Sequence, residues 1–87
     1  MKSGTKTRKM FERAKMAMPR GVTSNFRYWG EDKTLVLKRA KGAYLWDQDD
    51  NRYIDYRLGF GPVILGHSYE PVAERIKEAL EIGNTSP

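Results

Sequence analysis

Arg27 stands among three aromatic residues, Phe26, Tyr28 and Trp29, in a stretch without a clear helical or strand period. Stacking on a ring can hold an arginine in one pose and leave its planar guanidinium free to bind a carboxylate or phosphate through two hydrogen bonds. An arginine can also cover an aromatic surface by cation–π contact alone. The spacing favours an anion-binding site and a structural contact about equally.

A second polar group, Asp47, Asp49 and Asn51, has the alternate spacing of the oxygen ligands in a calcium-binding loop. That loop requires glycine at its sixth position and glutamate at its twelfth, where this chain has Arg52 and Leu58. Asp and Asn side chains also bond to nearby backbone in tight turns. The sequence therefore predicts a hairpin turn here and no metal site.

The segment Gly61–Gly66 has the glycine spacing of a phosphate-binding loop, but His67 stands where that loop requires lysine. His67 is the only histidine, so no imidazole pair can hold a metal, and no serine has an evident catalytic partner. We expect His67 to cap, or make a turn hydrogen bond, before the last helix. The chain is predicted to contain no catalytic residue.

The elements that must position these residues follow from hydrophobic period and turn signals. Apolar residues at three- and four-residue steps predict a helix over 5–18 that Pro19-Arg20-Gly21 stops, and a second helix from Ser68, its expected N-cap, to Gly83. Between them, three short antiparallel strands are predicted at 35–40, 43–47 and 52–56. A glycine-rich loop with apolar anchors fills 57–67. The predicted fold class is α+β.

Length and composition limit what this fold can do. A chain of 87 residues forms at most one small domain and buries about 60–65% of its unfolded surface. No cysteine is present, and no apolar run approaches the length of a membrane-spanning helix. Because no secretory signal follows Met1, we expect a cytoplasmic protein without a membrane partner.

Positive charge is concentrated near the start, where seven of the first twenty residues are Lys or Arg and one is Glu. Such a run is usually a solvated helix face, which favours no nucleic-acid partner. The alternative function is a free-standing, non-catalytic interaction module or a basic nucleic-acid-binding module. A phosphate-binding role would predict a steep loss of affinity with added salt.

Three segments together resemble the N-terminal part of class III aminotransferases. They are Leu37 to Asp47 (LKRAKGAYLWD), Asn51 to Tyr56 (NRYIDY) and Gly61 to His67 (GPVILGH). Pro19 to Arg27 (PRGVTSNFR) is similar to the opening of the glutamate-1-semialdehyde 2,1-aminomutase-like members of that class. The likeness extends from about residue 14 to residue 80.

The resemblance implies a homodimeric enzyme of fold type I that uses pyridoxal 5'-phosphate and acts on an amino acid or amino-aldehyde. Arg27 falls where these relatives place an arginine that binds the substrate carboxylate. Phe60 falls where a bulky aromatic residue, commonly tryptophan, forms a wall of the substrate pocket. These two positions are the substrate-binding residues that the resemblance predicts.

The resemblance also implies an organisation in which the whole chain is the N-terminal segment of the small domain. Its parts would be a docking helix (1–20), a substrate-site loop (21–34), the three-stranded meander (35–56), an active-site loop (57–67) and a helix (68–83). The family's Schiff-base lysine and cofactor-binding residues lie beyond the matched region. We therefore expect these 87 residues to be inactive, and poorly folded, by themselves.

Overall fold

The computed structural model describes residues 4–83 and confirms the α+β prediction. Two helices flank a three-stranded antiparallel sheet whose strand order follows the chain. The elements are α1 (Thr5–Ala17), β1 (Leu37–Lys41), β2 (Tyr44–Asp47), β3 (Arg52–Ile54) and α2 (Glu70–Leu80), with short 3-10 turns at Pro19–Gly21 and Asn25–Arg27.

Helix α1 ends where the sequence predicts, because Pro19 cannot continue the hydrogen-bond pattern. The following 3-10 turn folds back on Phe11, which is 2% exposed. Gly21 has a φ of 71°, and a Cβ there would lie 2.8 Å from the Phe11 ring. Only glycine combines that backbone conformation with this close approach.

The sheet is a meander in which each strand pairs with the next. Tyr44 pairs with Lys41 and Ile54, and Trp46 pairs with Arg39 and Arg52. The register between β1 and β2 shifts between Leu37 and Arg39, which is a β-bulge. The predicted hairpins are therefore confirmed.

All three strands have boundaries that differ from the prediction, the second only in beginning at Tyr44 instead of Ala43. The first strand covers Leu37–Lys41 instead of 35–40, and the third ends at Ile54 instead of Tyr56. The third strand stops early because Asp55 turns the chain: its Oδ1 accepts hydrogen bonds from the amides of Arg57 and Leu58. A carboxylate that bonds to the following amides competes with the strand ladder.

The prediction that Ser68 caps the second helix is wrong. Helix α2 begins at Glu70, with Tyr69 as its N-cap residue and Pro71 in its first turn. Ser68 has a φ of 53°, and its hydroxyl donates to the carbonyl of Ala40 at 2.9 Å. The hydroxyl is directed to the sheet, and no side-chain hydrogen bond caps α2.

The core is small, since Phe11 is the one hydrophobic side chain in residues 4–83 that is fully buried. The predicted apolar anchors of the 57–67 loop are only partly realised: Leu58 and Val63 are half-buried, whereas Ile64 and Leu65 are exposed. Within the described part of the chain, no helix is long and apolar enough to cross a membrane. The expectation of a cytoplasmic protein stays a prediction.

Candidate functional site

Arg27 ends the 3-10 turn Asn25–Arg27, which Ser24 stabilises. The Ser24 carbonyl accepts the Arg27 amide at 2.9 Å, and its hydroxyl accepts the Phe26 amide at 3.4 Å. The Arg27 side chain is exposed, and its guanidinium carbon lies 5.2 Å from the centre of the Phe60 ring. This turn therefore presents Arg27 to solvent beside an aromatic residue that is distant in sequence.

The expectation that neighbouring aromatic residues hold Arg27 is wrong in detail. Tyr28 lies under Arg20, at 5.2 Å, and Trp29 lies 5.8 Å from the guanidinium carbon of Arg57. Side chains that are adjacent along an irregular segment point in different directions, so each finds a different partner. Phe60 is the ring that contacts Arg27.

Phe60 lies on a tight turn at the start of the 57–67 loop, after β3. The carbonyl of Arg57 accepts the amides of Phe60 and Gly61 at 2.9 and 3.2 Å. Leu58 and Phe60 have φ values of 55° and 69°, a conformation that non-glycine residues seldom adopt and that is found preferentially at functional sites. The Phe60 ring is half exposed and packs edge-on against Phe26 at 6.1 Å.

The structure thus brings together the two residues that the resemblance assigned to the substrate, Arg27 and Phe60. It adds a third that sequence reasoning missed: the guanidinium carbon of Arg57 lies 4.5 Å from the Phe60 ring centre. The sequence does place Arg57 within three residues of Phe60, but no local pattern shows which way its side chain turns.

The Asp55 carboxylate stabilises this turn through hydrogen bonds. Its Oδ2 lies 2.6 Å from Nε2 of His67, and its side chain is 7% exposed. Because an ionised carboxylate only accepts hydrogen bonds, Nε2 of His67 is the donor. Burial raises the pKa of the Asp55 carboxyl, but the hydrogen bonds from His67, Arg57 and Leu58 lower it by more, so its pKa lies below the ordinary value.

His67 also pairs through its backbone with Gly42, each residue donating its amide to the other's carbonyl at 2.9 Å. Gly66 packs beside this bridge with a φ of 85°, and a Cβ there would lie 3.1 Å from the Cα of Gly42. The prediction that His67 caps the last helix or makes a turn hydrogen bond before it is wrong, because its bonds go to Asp55 and Gly42, which are distant in sequence. The histidine fastens the end of the loop to the sheet.

Asp47 occupies the end of β2 and is 1% exposed. Its Oδ1 accepts the amides of Asp49 and Asn51 at 2.9 Å, and its Oδ2 accepts from the Asn51 side chain and the Tyr53 hydroxyl at 3.1 and 2.9 Å. Burial raises the pKa of Asp47, but these bonds outweigh it and leave the pKa below its ordinary value. Both oxygens are used within the hairpin.

Asp49 serves helix α1, although sequence reasoning assigned it to the hairpin turn alone. Its two oxygens accept the amides of Lys6 and Thr7, each at 2.8 Å. These bonds, from Thr7 above all, lower the pKa of Asp49. Gly4, the N-cap residue of α1, has no side chain for this purpose, so Asp49 supplies the cap from the hairpin.

The carboxylate oxygens of Asp47 and Asp49, two of the three residues in the rejected calcium pattern, are therefore engaged by amides and one hydroxyl. In residues 4–83, no cluster of three or more His, Cys, Asp or Glu side chains is arranged to hold a metal ion.

Two cations of the described N-terminal region have carboxylate partners. Arg8 pairs with Asp32 at 2.9 Å, and Lys15 pairs with Glu12 and Glu31 at 2.8 and 3.0 Å. Hydrogen bonds to both glutamates raise the pKa of Lys15. These pairs reduce the charge available to phosphates, so the structure adds nothing in favour of the nucleic-acid alternative.

An apolar groove of about 410 Å³ runs between the 62–69 loop and α2. Its walls include Leu65, Tyr69, Val72 and Ile76, and neither Arg27 nor Phe60 contributes to it. The groove has few polar groups that could orient a ligand, so the Arg27 cluster is the better candidate for a substrate site.

The family described as Aminotransferase class-III matches residues 27–85 of this chain. Glutamate-1-semialdehyde 2,1-aminomutase of Methanothrix thermoacetophila is 46% identical over 77 residues, covering 88% of this chain and 18% of the relative. The enzyme of the same name from Thermus thermophilus is 46% identical over 79 residues, with coverage of 86% and 18%. The chain thus spans about a fifth of the length of these relatives.

Solved structures give the same result. An omega-transaminase from Sphaerobacter thermophilus superposes with a TM-score of 0.80 at 26% identity, covering 97% of this chain and 19% of that structure. A glutamate-1-semialdehyde-aminomutase from Pseudomonas aeruginosa gives a TM-score of 0.77 at 25% identity, with coverage of 92% and 18%. The match to the family covers more than half of the sequence, and the chain belongs to the class-III aminotransferases.

Proposed function

We propose that this chain is the N-terminal, substrate-binding segment of a pyridoxal-phosphate-dependent aminotransferase or aminomutase that acts on a carboxylate-bearing amino acid. The observation that carries the proposal is the meeting of Arg27 and Phe60 from two separate loops. Family membership and the names of the relatives support the reaction class.

Arg27 is suited to binding a carboxylate. Its guanidinium is exposed, and no carboxylate in residues 4–83 lies within ion-pairing distance of it. The Phe60 ring limits the poses of the side chain, so less conformational entropy is lost when a ligand binds. Arg27 therefore anchors the carboxylate, and Phe60 forms one wall of the pocket.

The cofactor proposal comes from the relatives. One solved neighbour is a FumI protein of Sphingopyxis, which is 28% identical and has a TM-score of 0.69. Its structure is described as the pyridoxal-phosphate internal aldimine form of that protein. The residues described here do not fit the covalent anchor of that cofactor, which is a desolvated lysine, because no lysine among residues 4–83 is buried. Pyridoxal phosphate would therefore be bound mainly by residues outside this chain.

We propose further that the segment belongs to the small domain of a homodimer, with its parts divided as the resemblance implies. Large apolar side chains are exposed along one side of α2 and in the loop before it, including Val72, Ile76, Leu80, Ile64 and Leu65. Exposed apolar surface of this extent is usually an interaction surface. The remainder of the enzyme and a partner subunit are the proposed cover.

The test is the replacement of Arg27 in the full-length enzyme. For R27A we expect KM for the amino acid to rise at least tenfold, because a charge-assisted, bidentate interaction is lost. Cofactor absorbance should stay unchanged. The matched control is R20A, which removes another arginine stacked on an aromatic ring at the same 5.2 Å. An unchanged KM in R27A would refute the proposal.

A further inference from the structure

Arg57 has no role in the function proposed so far, yet it contacts the same aromatic ring as Arg27, that of Phe60. The guanidinium carbons of Arg57 and Arg27 lie 4.5 and 5.2 Å from the centre of the Phe60 ring. The two carbons are therefore separated by no more than the sum of these distances. A separation of this size is within the length of one small ligand with two anionic groups.

The backbone of Arg57 is fixed on both sides. Its amide donates to Oδ1 of Asp55 at 2.8 Å, and its carbonyl accepts the amides of Phe60 and Gly61. Asp55 is in turn bonded to His67, whose backbone is joined to the sheet. Arg57 thus projects from a turn that is anchored to the sheet, and its side chain lies between Phe60 and, at 5.8 Å, Trp29.

The two arginines differ in ion pairing from three other cations of the chain. Arg8, Lys15 and Lys38 each lie within 3.0 Å of a carboxylate oxygen. In the described part of the chain, neither Arg27 nor Arg57 has a carboxylate within ion-pairing distance. Two positive charges therefore lie beside one aromatic ring without internal compensation, which favours the binding of anions.

We infer that Arg57 binds a second anionic group of the ligand that Arg27 anchors, so that the substrate class is a compound with two anionic groups, such as a dicarboxylic amino acid. This inference rests on the proposed function for the role of Arg27. Each guanidinium offers a planar pair of donors that suits one carboxylate, so two guanidinium groups accommodate two carboxylates. Phe60 acts as the shared platform that sets the spacing between them.

The experiment measures equilibrium binding to the full-length enzyme by calorimetry, with ligands that lack an amino group and cannot react. The dicarboxylates succinate, glutarate and adipate are each compared with the monocarboxylate of equal chain length: butanoate, pentanoate and hexanoate. The variants are R57Q and R57K. The control is R39Q, because Arg39 is also exposed and stacked on an aromatic ring, that of Trp46, at 3.6 Å.

In the wild type we expect at least one dicarboxylate to bind about tenfold or more tightly than its monocarboxylate partner, as for a charge-assisted hydrogen-bond pair. R57Q should bring that ratio close to one without weakening the monocarboxylate, R57K should retain part of it, and R39Q should leave it unchanged. A wild-type enzyme that does not prefer any of the dicarboxylates would overturn the inference. Equal weakening of both ligand classes in R57Q, or an unaltered ratio, would do the same.

Failure of this inference is distinguishable from failure of the proposed function. If R27A loses monocarboxylate binding while R57Q behaves as wild type, Arg27 keeps its assigned role and only the second anion site is refuted. If R27A binds monocarboxylates as the wild type does, the carboxylate anchor itself is refuted.

Discussion

Charged side chains at the two ends of β3 have opposite relations to the rest of the chain. At the β2–β3 turn, Asp47 and Asp49 accept six hydrogen bonds from amides, an amide side chain and a hydroxyl. Beyond the other end of the strand, Arg27 and Arg57 lie against Phe60, and their guanidinium groups have no carboxylate partner among residues 4–83. The carboxylates whose hydrogen bonds are made within the chain have a structural role. The guanidinium groups that have no carboxylate partner among residues 4–83 are available to a ligand.

The largest effect is expected at the structural end. D47N keeps one acceptor oxygen but sets an NH2 group against the NH2 donor of Asn51, and it replaces the charge-assisted bond from the Tyr53 hydroxyl with a neutral one. Losing the first bond and weakening the second at a buried site should lower the free energy of local unfolding of the β2–β3 hairpin by about 3 kcal/mol. Amide hydrogen exchange of peptides from the full-length enzyme measures it. The control D50N, at an exposed residue paired with Lys38, should exchange like the wild type.

Low pH should weaken the hydrogen bonds that the ionised carboxylates accept. The pKa values of Asp47 and Asp55 are lowered by folding, so their stabilising contribution is complete above the unfolded pKa of about 4 and is lost as the pH falls through the folded values. Exchange protection of the hairpin, corrected for intrinsic rates, should therefore decrease below about pH 4. Protection that is independent of pH in this range would contradict the assignment.

In the candidate substrate site, Phe60 should affect ligand affinity through its contacts with Arg27 and Arg57. F60A frees both guanidinium groups and should weaken binding of the carboxylate ligand by about five- to tenfold, as expected for loss of cation–π contacts. F60W, which keeps an aromatic face, should retain most of the affinity. If F60A and the wild type bind equally well, the ring does not organise the arginines.

The smallest effect is expected from the helix cap. D49N should speed amide exchange in the first turn of α1 and leave the hairpin protected, because the Asp49 carboxylate accepts the amides of Lys6 and Thr7 in that turn. G4A should act at the same place, since a Cβ on Gly4 would lie 2.5 Å from the Asp49 carboxyl carbon. The two changes should not add in the double variant. Additive effects would show that they act separately.

The helices and the meander were predictable because their signals are local: apolar residues at helical spacing around Phe11, and the Asx-rich reversal between β2 and β3. The cap given by Asp49 was not, since the residue's own neighbourhood already explains an aspartate in a turn. The prediction that Ser68 caps α2 was wrong for a related reason. It precedes a helix, but a positive φ and a bond to Ala40 direct its hydroxyl to the sheet.

The candidate site was predictable only in part. The residue types at Arg27 and Phe60 were available from the resemblance, yet the ring that contacts Arg27 lies 33 positions along the chain instead of next to it. The contribution of Arg57 depends on a turn in which Leu58 and Phe60 adopt positive φ values. Hydrophobic period and residue spacing carry no information about such a turn.

The cap that Asp49 places on α1 also has a consequence for the order of folding. The bonds join residues that are 42 and 43 positions apart, so the amides of Lys6 and Thr7 in the first turn of α1 gain these partners only after the β2–β3 hairpin exists. An isolated helix of 13 residues is marginal in water, and closing so long a loop costs entropy before any contact compensates for it. We expect pulse-labelling exchange during refolding to find the first turn of α1 protected after the hairpin. Although α1 precedes the hairpin in the sequence, its first turn would then become stable after the hairpin.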